Sequence, residues 1–394
     1  MVIRWPRMGF PAIALNALIP LIVIVLVALV ASPVAFAAGQ PEVVDDAPHA
    51  DTHAADHGDD HHHGDDHDHE EPHHDGVEPV DLTDGRLLRV VATTSIVGDV
   101  VRNVAGDAAD VTVLMAVGQN PHGYTPTPRA IAEIERADLV IVNGFDLEEN
   151  LVDVVETTAR GYVVEASERI TPLGSSDDHG HEVEADDDHG DHDDYDHEGE
   201  GDDDHADHDH VHAAGDPHVW FDPNNVLSWV DTIEDALSDA DPERAPVFAA
   251  NAEAYRSRLR DLDRMIRRDV ETIPTERRKL VLDHASLDYF AFRYGFETIG
   301  AVIPATTDQA EPSAREVARL VEQIREEAVP AVFVGGTASR GMRNMVEAVA
   351  AEVGRDVRIG TLLTGSLAPS GQLGDTYIGF MEYNVSQIVE NLKD

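Results

Sequence analysis

Ala137-Asp138-Leu139-Val140-Ile141-Val142-Asn143-Gly144 sets four consecutive apolar residues between an acid and an Asn-Gly turn signal. A short, unbroken apolar run bounded this way reads as a strand buried on both faces. Residues 127–137 before it and 147–159 after it read as helices. Working outward, residues 87–92 and 110–116 read as strands, with a helix over 96–104 between them. Residues 162–165 form a fourth strand. Strands alternating with helices of this length imply βαβ units and a parallel sheet.

The same texture returns near the C-terminus. Strands are expected over 279–282, 297–303, 331–334 and 357–363, with helices over 288–294, 311–327, 340–353 and 376–392. Between the two series lie a helix over 225–239 and a longer charged one over 242–273. Leu259, Leu262, Met265 and Ile266 give that long helix one apolar face, and its arginines (256, 258, 260, 264, 267, 268) read as a solvated face. The fold class is therefore α/β: two similar lobes with parallel-type sheets, joined by a long linking helix. We expect a first lobe over 87–240, the link over 241–275 and a second lobe over 276–394. Ligands of such sheets bind beyond the carboxyl ends of the strands, and two facing lobes make a cleft.

Histidine is distributed unevenly. Of 22, ten lie between His49 and His74 and nine between His179 and His212, in tracts rich in Asp and Glu. The formal net charge is −49, and thirty carboxylates within 45–75 and 177–209 leave about −19 for the rest of the chain. Such a field repels nucleic acid and attracts cations. Residues 38–86 lack the apolar content for a core and read as a disordered arm. Residues 177–212 read as a long surface loop of the first lobe. Clustered imidazoles and carboxylates bind divalent metal weakly and many times over; the plainer reading is a charged spacer.

The N-terminus carries Arg4 and Arg7, an apolar run over 17–31, and Ala35-Phe36-Ala37. This is the pattern of a secretory signal peptide cleaved after Ala37, with an uncleaved anchor as the alternative. The body is then periplasmic or extracytoplasmic. With no cysteine in the sequence, thiolate zinc sites, disulfides, a Cys nucleophile and a lipid-modified N-terminal Cys are excluded.

Three histidines stand apart from the tracts. His122 follows the second strand of the first lobe, His218 follows the fourth strand beyond the acidic loop, and His284 follows the first strand of the second lobe. A single such residue is more often packed or merely exposed. Three at strand-end loops favour one shared metal site, assembled by the fold, since they lie 96 and 66 residues apart. Several imidazoles suit zinc best, although copper and nickel also accept them. There is no Gly-x-Ser-x-Gly elbow, no phosphate loop and no His-Glu-x-x-His helix. Gly335-Gly336-Thr337 reads as a turn.

These residues fall into a recognisable order. Asn120-Pro121-His122-Gly123-Tyr124-Thr125-Pro126, the stretch 137–144 and Asp216-Pro217-His218-Val219-Trp220-Phe221-Asp222-Pro223 resemble the zinc and manganese periplasmic solute-binding proteins of ABC importers. His284 with Tyr289-Phe290 and Tyr294-Gly295, Glu311-Pro312-Ser313, and Asp375-Thr376-Tyr377 extend the resemblance over about 88–393. It implies two lobes bridged by a rigid helix with the metal in the cleft. It implies His122, His218 and His284 as ligands, His284 standing where zinc receptors have His and manganese receptors generally have Glu. A His-rich acidic loop in the first lobe is typical of the zinc members. The chain departs from the pattern at Gly365, where many members place an Asp ligand; the fourth position then falls to water, a nearby carboxylate or a group from the acidic loop.

The expected function is an extracytoplasmic receptor, monomeric and not an enzyme. It would capture Zn2+ as cargo and deliver it to the membrane permease of an ABC importer. Two alternatives stay open at this level: a zinc hydrolase with a three-His site and an open water position, and an extracellular zinc buffer with no transport role.

Overall fold

The computed structural model describes residues 76–173, 215–307 and 309–394. The expected signal peptide, the expected arm up to residue 75 and the whole of the expected loop over 177–212 lie outside the described residues. The described residues belong to one compact unit.

The first lobe is a four-stranded parallel sheet in the order β2-β1-β3-β4. Its strands are β1 (Leu88–Ala92), β2 (Ala109–Val113), β3 (Leu139–Val142) and β4 (Tyr162–Glu165), connected by α1 (Ser95–Ala105), α2 (Pro128–Arg136) and α3 (Glu149–Thr158). The quoted run becomes β3, in the sheet interior, with all four residues buried. Burial on both faces explains why its apolar residues do not alternate with polar ones. Neighbouring side chains still point opposite ways: Val90 packs toward the core shared by both lobes, and Val91 toward a separate cluster with Met115, Tyr124 and Ile134. Asp138 anchors the start of β3: it accepts hydrogen bonds from the backbone N–H of Arg89 (2.8 Å) and from the Arg86 guanidinium (2.5 and 3.1 Å).

The second lobe repeats the scheme. Its strands are β5 (Lys279–His284), β6 (Glu297–Ile303), β7 (Ala331–Gly335) and β8 (Arg358–Leu362). β5 pairs in parallel with β6, β7 pairs in parallel with β8, and β5 lies alongside β7. α6 (Asp288–Tyr294), α7 (Ala314–Glu326), α8 (Arg340–Glu352) and α9 (Tyr377–Leu392) complete it. Helix starts follow local chemistry. Thr94, Asp222, Ser339 and Thr376 each accept a backbone N–H, and Ser313 with Glu316 forms a full capping box.

α4 (Pro223–Ala240) leads into the linking helix α5 (Ala245–Val270). At 26 residues α5 spans roughly 39 Å. Its buried residues Phe248, Ala252, Tyr255, Leu259, Leu262, Ile266 and Val270 recur at three- and four-residue steps, one stripe along the helix. That stripe belongs to a single core containing Leu88 and Ile141 of the first lobe and Leu282 and Phe333 of the second. Its arginines mostly meet acids: Arg256 reaches Asp231 and Glu234, and Arg267 reaches Asp263. No described helix is long and apolar enough to cross a membrane.

Candidate metal centre

His122 is carried by the loop that leaves β2. The chain stays pinned beside β1 by Leu114 N–H to Ala92 C=O (2.9 Å) and Met115 N–H to Thr93 C=O (3.0 Å). It then turns, and the Asn120 side chain accepts the His122 N–H at 3.2 Å. His218 sits in a tight Asp-Pro-His turn. The Asp216 carboxylate accepts the His218 backbone N–H (3.0 Å) and lies 2.7 Å from its Nδ1, while Asn143 donates to the Pro217 carbonyl at 3.1 Å. A 3-10 turn, Val219–Phe221, follows and buries Trp220 and Phe221. The Trp220 indole N–H donates to the Thr364 carbonyl (3.1 Å), and the Tyr377 hydroxyl donates to the Trp220 carbonyl (2.7 Å). These bonds fix the turn against the second lobe.

His284 is the last residue of β5, which runs two residues beyond the end expected at 282. The ladder to Ile303 holds it in extended conformation. Its Nδ1 lies 3.2 Å from Asp283 Oδ1, and Asp283 Oδ2 accepts the Gly335 N–H at 2.9 Å. The Gly335 N–H is thus taken by an internal carboxylate, and the Gly336 N–H by the Leu362 carbonyl at 2.6 Å. A Cβ on Gly335 would fall 3.1 Å from that carboxylate and 2.7 Å from the Thr364 hydroxyl, so glycine permits the close approach.

The three lone histidines meet. Their ring centroids are 5.2 Å (His122–His218), 5.7 Å (His122–His284) and 5.3 Å (His218–His284) apart. One nitrogen from each lies within 4.8 Å of the others, and all three residues are buried. The His122 and His218 Nε2 atoms are 3.2 Å apart. With Nδ1 of His218 and of His284 turned to carboxylates, their Nε2 lone pairs are free to converge on one ion. Burial first, and then the charges of His218 and His284, push His122 down to about 2. It therefore stays neutral, with a lone pair available for a cation. Such a donor set fits a divalent metal that accepts imidazole.

A buried acid lies beneath the first-lobe edge. Glu148 accepts hydrogen bonds from the Thr93 hydroxyl and from the Asn143 N–H (3.0 Å). Burial dominates and raises its carboxyl to about 7. Asp283 behaves oppositely. Burial pushes it up, but the hydrogen bond and charge of His284 and the N–H groups of Gly335 and His284 outweigh it, and it ends below its ordinary value. Gly365 lies at the cleft, where a Cβ would meet Cδ of Pro121 at 2.7 Å. The roles of Asp216, Asp283 and Tyr289 escaped sequence reasoning, although an acid at or near a lone histidine (Asp216-Pro217-His218, Asp283-His284) is a visible signal.

Residues 90–391 match the family model described as ZnuA, the periplasmic component A of a zinc-uptake complex. The chain belongs to this family of metal-binding, non-enzymatic solute-binding proteins of ABC importers, whose members act outside the cytoplasm. It is 33% identical over 311 residues to the manganese-binding lipoprotein MntA of Halalkalibacterium halodurans, covering 78% of this chain and 90% of that one. It is 28% identical over 323 residues to the manganese ABC transporter substrate-binding lipoprotein PsaA of Streptococcus anginosus, covering 79% and 91%. Among solved structures, the periplasmic zinc binding protein TroA of Treponema pallidum superposes with a TM-score of 0.65 at 28% identity. That match covers 79% of this chain and all of TroA.

Proposed function

We propose that this receptor captures Zn2+ through His122, His218 and His284 and delivers it to the membrane permease of an ABC importer. The carrying observation is the donor set: three buried imidazoles, with no carboxylate in the cluster among the described residues. Asp216 and Asp283 are engaged with ring Nδ1 atoms. Zinc accepts three nitrogens readily, whereas manganese favours carboxylate and water oxygens. Glycine at 365 removes a further oxygen donor from the side-chain inventory. Manganese is the competing reading, favoured by the names of the two relatives above.

The domain assignment accompanies this reading: a signal peptide over 1–37, a first lobe over 87–240, a link over 241–275 and a second lobe over 276–394. The two His-rich tracts serve as a low-affinity store that feeds the cleft. Competitive titration of the purified protein with zinc and manganese tests the proposal. We expect one tight zinc step that disappears in His122→Ala, His218→Ala and His284→Ala, and weaker steps that survive. Tighter binding of manganese than zinc at that step overturns the assignment of metal. A tight step that persists in all three variants overturns the site.

A further inference from the structure

Tyr289 is not one of the three histidines, yet it touches the frame of one. It lies on α6, a second-lobe helix that begins four residues after His284, and it is 5% exposed. Its hydroxyl accepts the Leu173 N–H at 3.0 Å and donates to the Asp216 carbonyl at 3.0 Å. Leu173 and Asp216 also bond to each other, Asp216 N–H to Leu173 C=O at 3.1 Å. They are the two ends of the segment that carries nine histidines. One phenol of the second lobe therefore closes a three-way junction on the first.

The junction has a direction. Asp216 is the residue whose carboxylate holds both the backbone N–H and the ring Nδ1 of His218. Its other carboxylate oxygen is buried without a partner among the described residues, so the residue is oriented by its backbone and by His218 alone. Fixing the Asp216 carbonyl fixes the plane of the peptide that leads into Pro217-His218. Asn143 fixes the next carbonyl, that of Pro217, from the first-lobe side. The two carbonyls leading into His218 are thus each held by a different lobe, in addition to the second-lobe bonds on Trp220 that follow it.

We propose that Tyr289 is a positioning residue for metal binding: its hydroxyl, acting through Asp216, holds His218 in its ligating orientation and ties that orientation to contact between the lobes. This rests on the reading of His218 as a ligand. Groups that orient a metal-binding histidine typically change affinity by about 10–100-fold when removed. Tyr289 acts one link further out, so the low end applies.

The test uses the full-length protein and measures Zn2+ dissociation from the tight step into excess chelator. Tyr289→Phe keeps the ring and deletes both hydrogen bonds, and dissociation should be about tenfold faster. Tyr294→Phe is the matched control. Its hydroxyl donates to Asp263 at 3.1 Å, in contact with none of the three histidines, and its loss should leave the rate unchanged. In an Asp216→Asn background, Tyr289→Phe should add less than a twofold change, because residues acting through one another are not additive. A wild-type rate in Tyr289→Phe overturns the proposal, as does a full tenfold effect in the Asp216→Asn background. His218→Ala separates the levels: if it leaves the tight step intact, the ligand assignment itself fails. If it abolishes the step while Tyr289→Phe is silent, only the positioning role fails.

Discussion

The two lobes share a strand scheme and finish it differently at the cleft. The first lobe supplies two histidines from loops, sets Asp216 on the ring of one of them, and keeps a further buried acid, Glu148, on Thr93 and Asn143. The second supplies one histidine from a strand end and sets its buried acid, Asp283, directly on that ring. Glu148 is pushed toward the neutral form and Asp283 is held in the charged form. Nearly equal burial thus gives opposite outcomes, and partner chemistry decides. Each carboxyl meets two amides; a hydroxyl does not offset desolvation and the repelling charge of Glu165 at Glu148, whereas the hydrogen bond and charge of His284 offset desolvation at Asp283.

The sharpest way to break this comparison is to delete the second lobe's single donor. His284→Ala should lower zinc affinity by more than about a hundredfold, beyond the range for orienting groups. Isothermal titration against a competing chelator reads it, and a loss of tenfold or less would mean that the first lobe holds the ion alone. Asp283→Asn comes next. It keeps the shape, removes the charge on the His284 Nδ1 and should cost about 10–100-fold in affinity. Glu148→Gln, linked to the His218 turn through Asn143, should change zinc affinity at pH 7 by less than about threefold. Equal losses in the two variants would erase the distinction between the lobes. His284→Glu offers a different cut: exchanging an imidazole for a carboxylate should narrow the preference for zinc over manganese in paired titrations.

Much of this organisation is legible in sequence because it rests on local signals. The 139–142 run, the helix start at 127–128 and the position of His122 and His218 beyond strand ends each follow from a few adjacent residues, whereas α4 starts at Pro223, two residues before the expected 225. Strands 162–165 and 297–303 and helix 288–294 fall where expected. The misses are shifts of register or long-range contacts. β2 stops at Val113, before the expected end at 116, although Leu114 and Met115 still bond to Ala92 and Thr93. The Tyr289 junction joins residues more than seventy positions apart, and no local pattern announces it. Pro121 against Gly365 is likewise a contact between loops of different lobes. The solute-binding family excludes the hydrolase that three histidines alone left open.

The smallest expected effect is also the most specific to the comparison. Glu148 has its folded-state value raised from 4.5 to about 7. The folded protein therefore holds this proton more tightly than the unfolded chain does. Its contribution to stability is complete below pH 4.5 and is lost as pH rises through about 7. His122 has the opposite sign. Its value falls from 6.5 to about 2, so its contribution is present above 6.5 and is lost as pH falls. The two slopes oppose each other between pH 4.5 and 6.5, and the raw stability curve hides both. The difference between wild type and Glu148→Gln isolates one. Urea unfolding of the metal-free protein across that window should give a difference that falls by about 1.4 kcal/mol per pH unit at most. Parallel curves would mean that Glu148 is charged in the folded state, and that it resembles Asp283 after all.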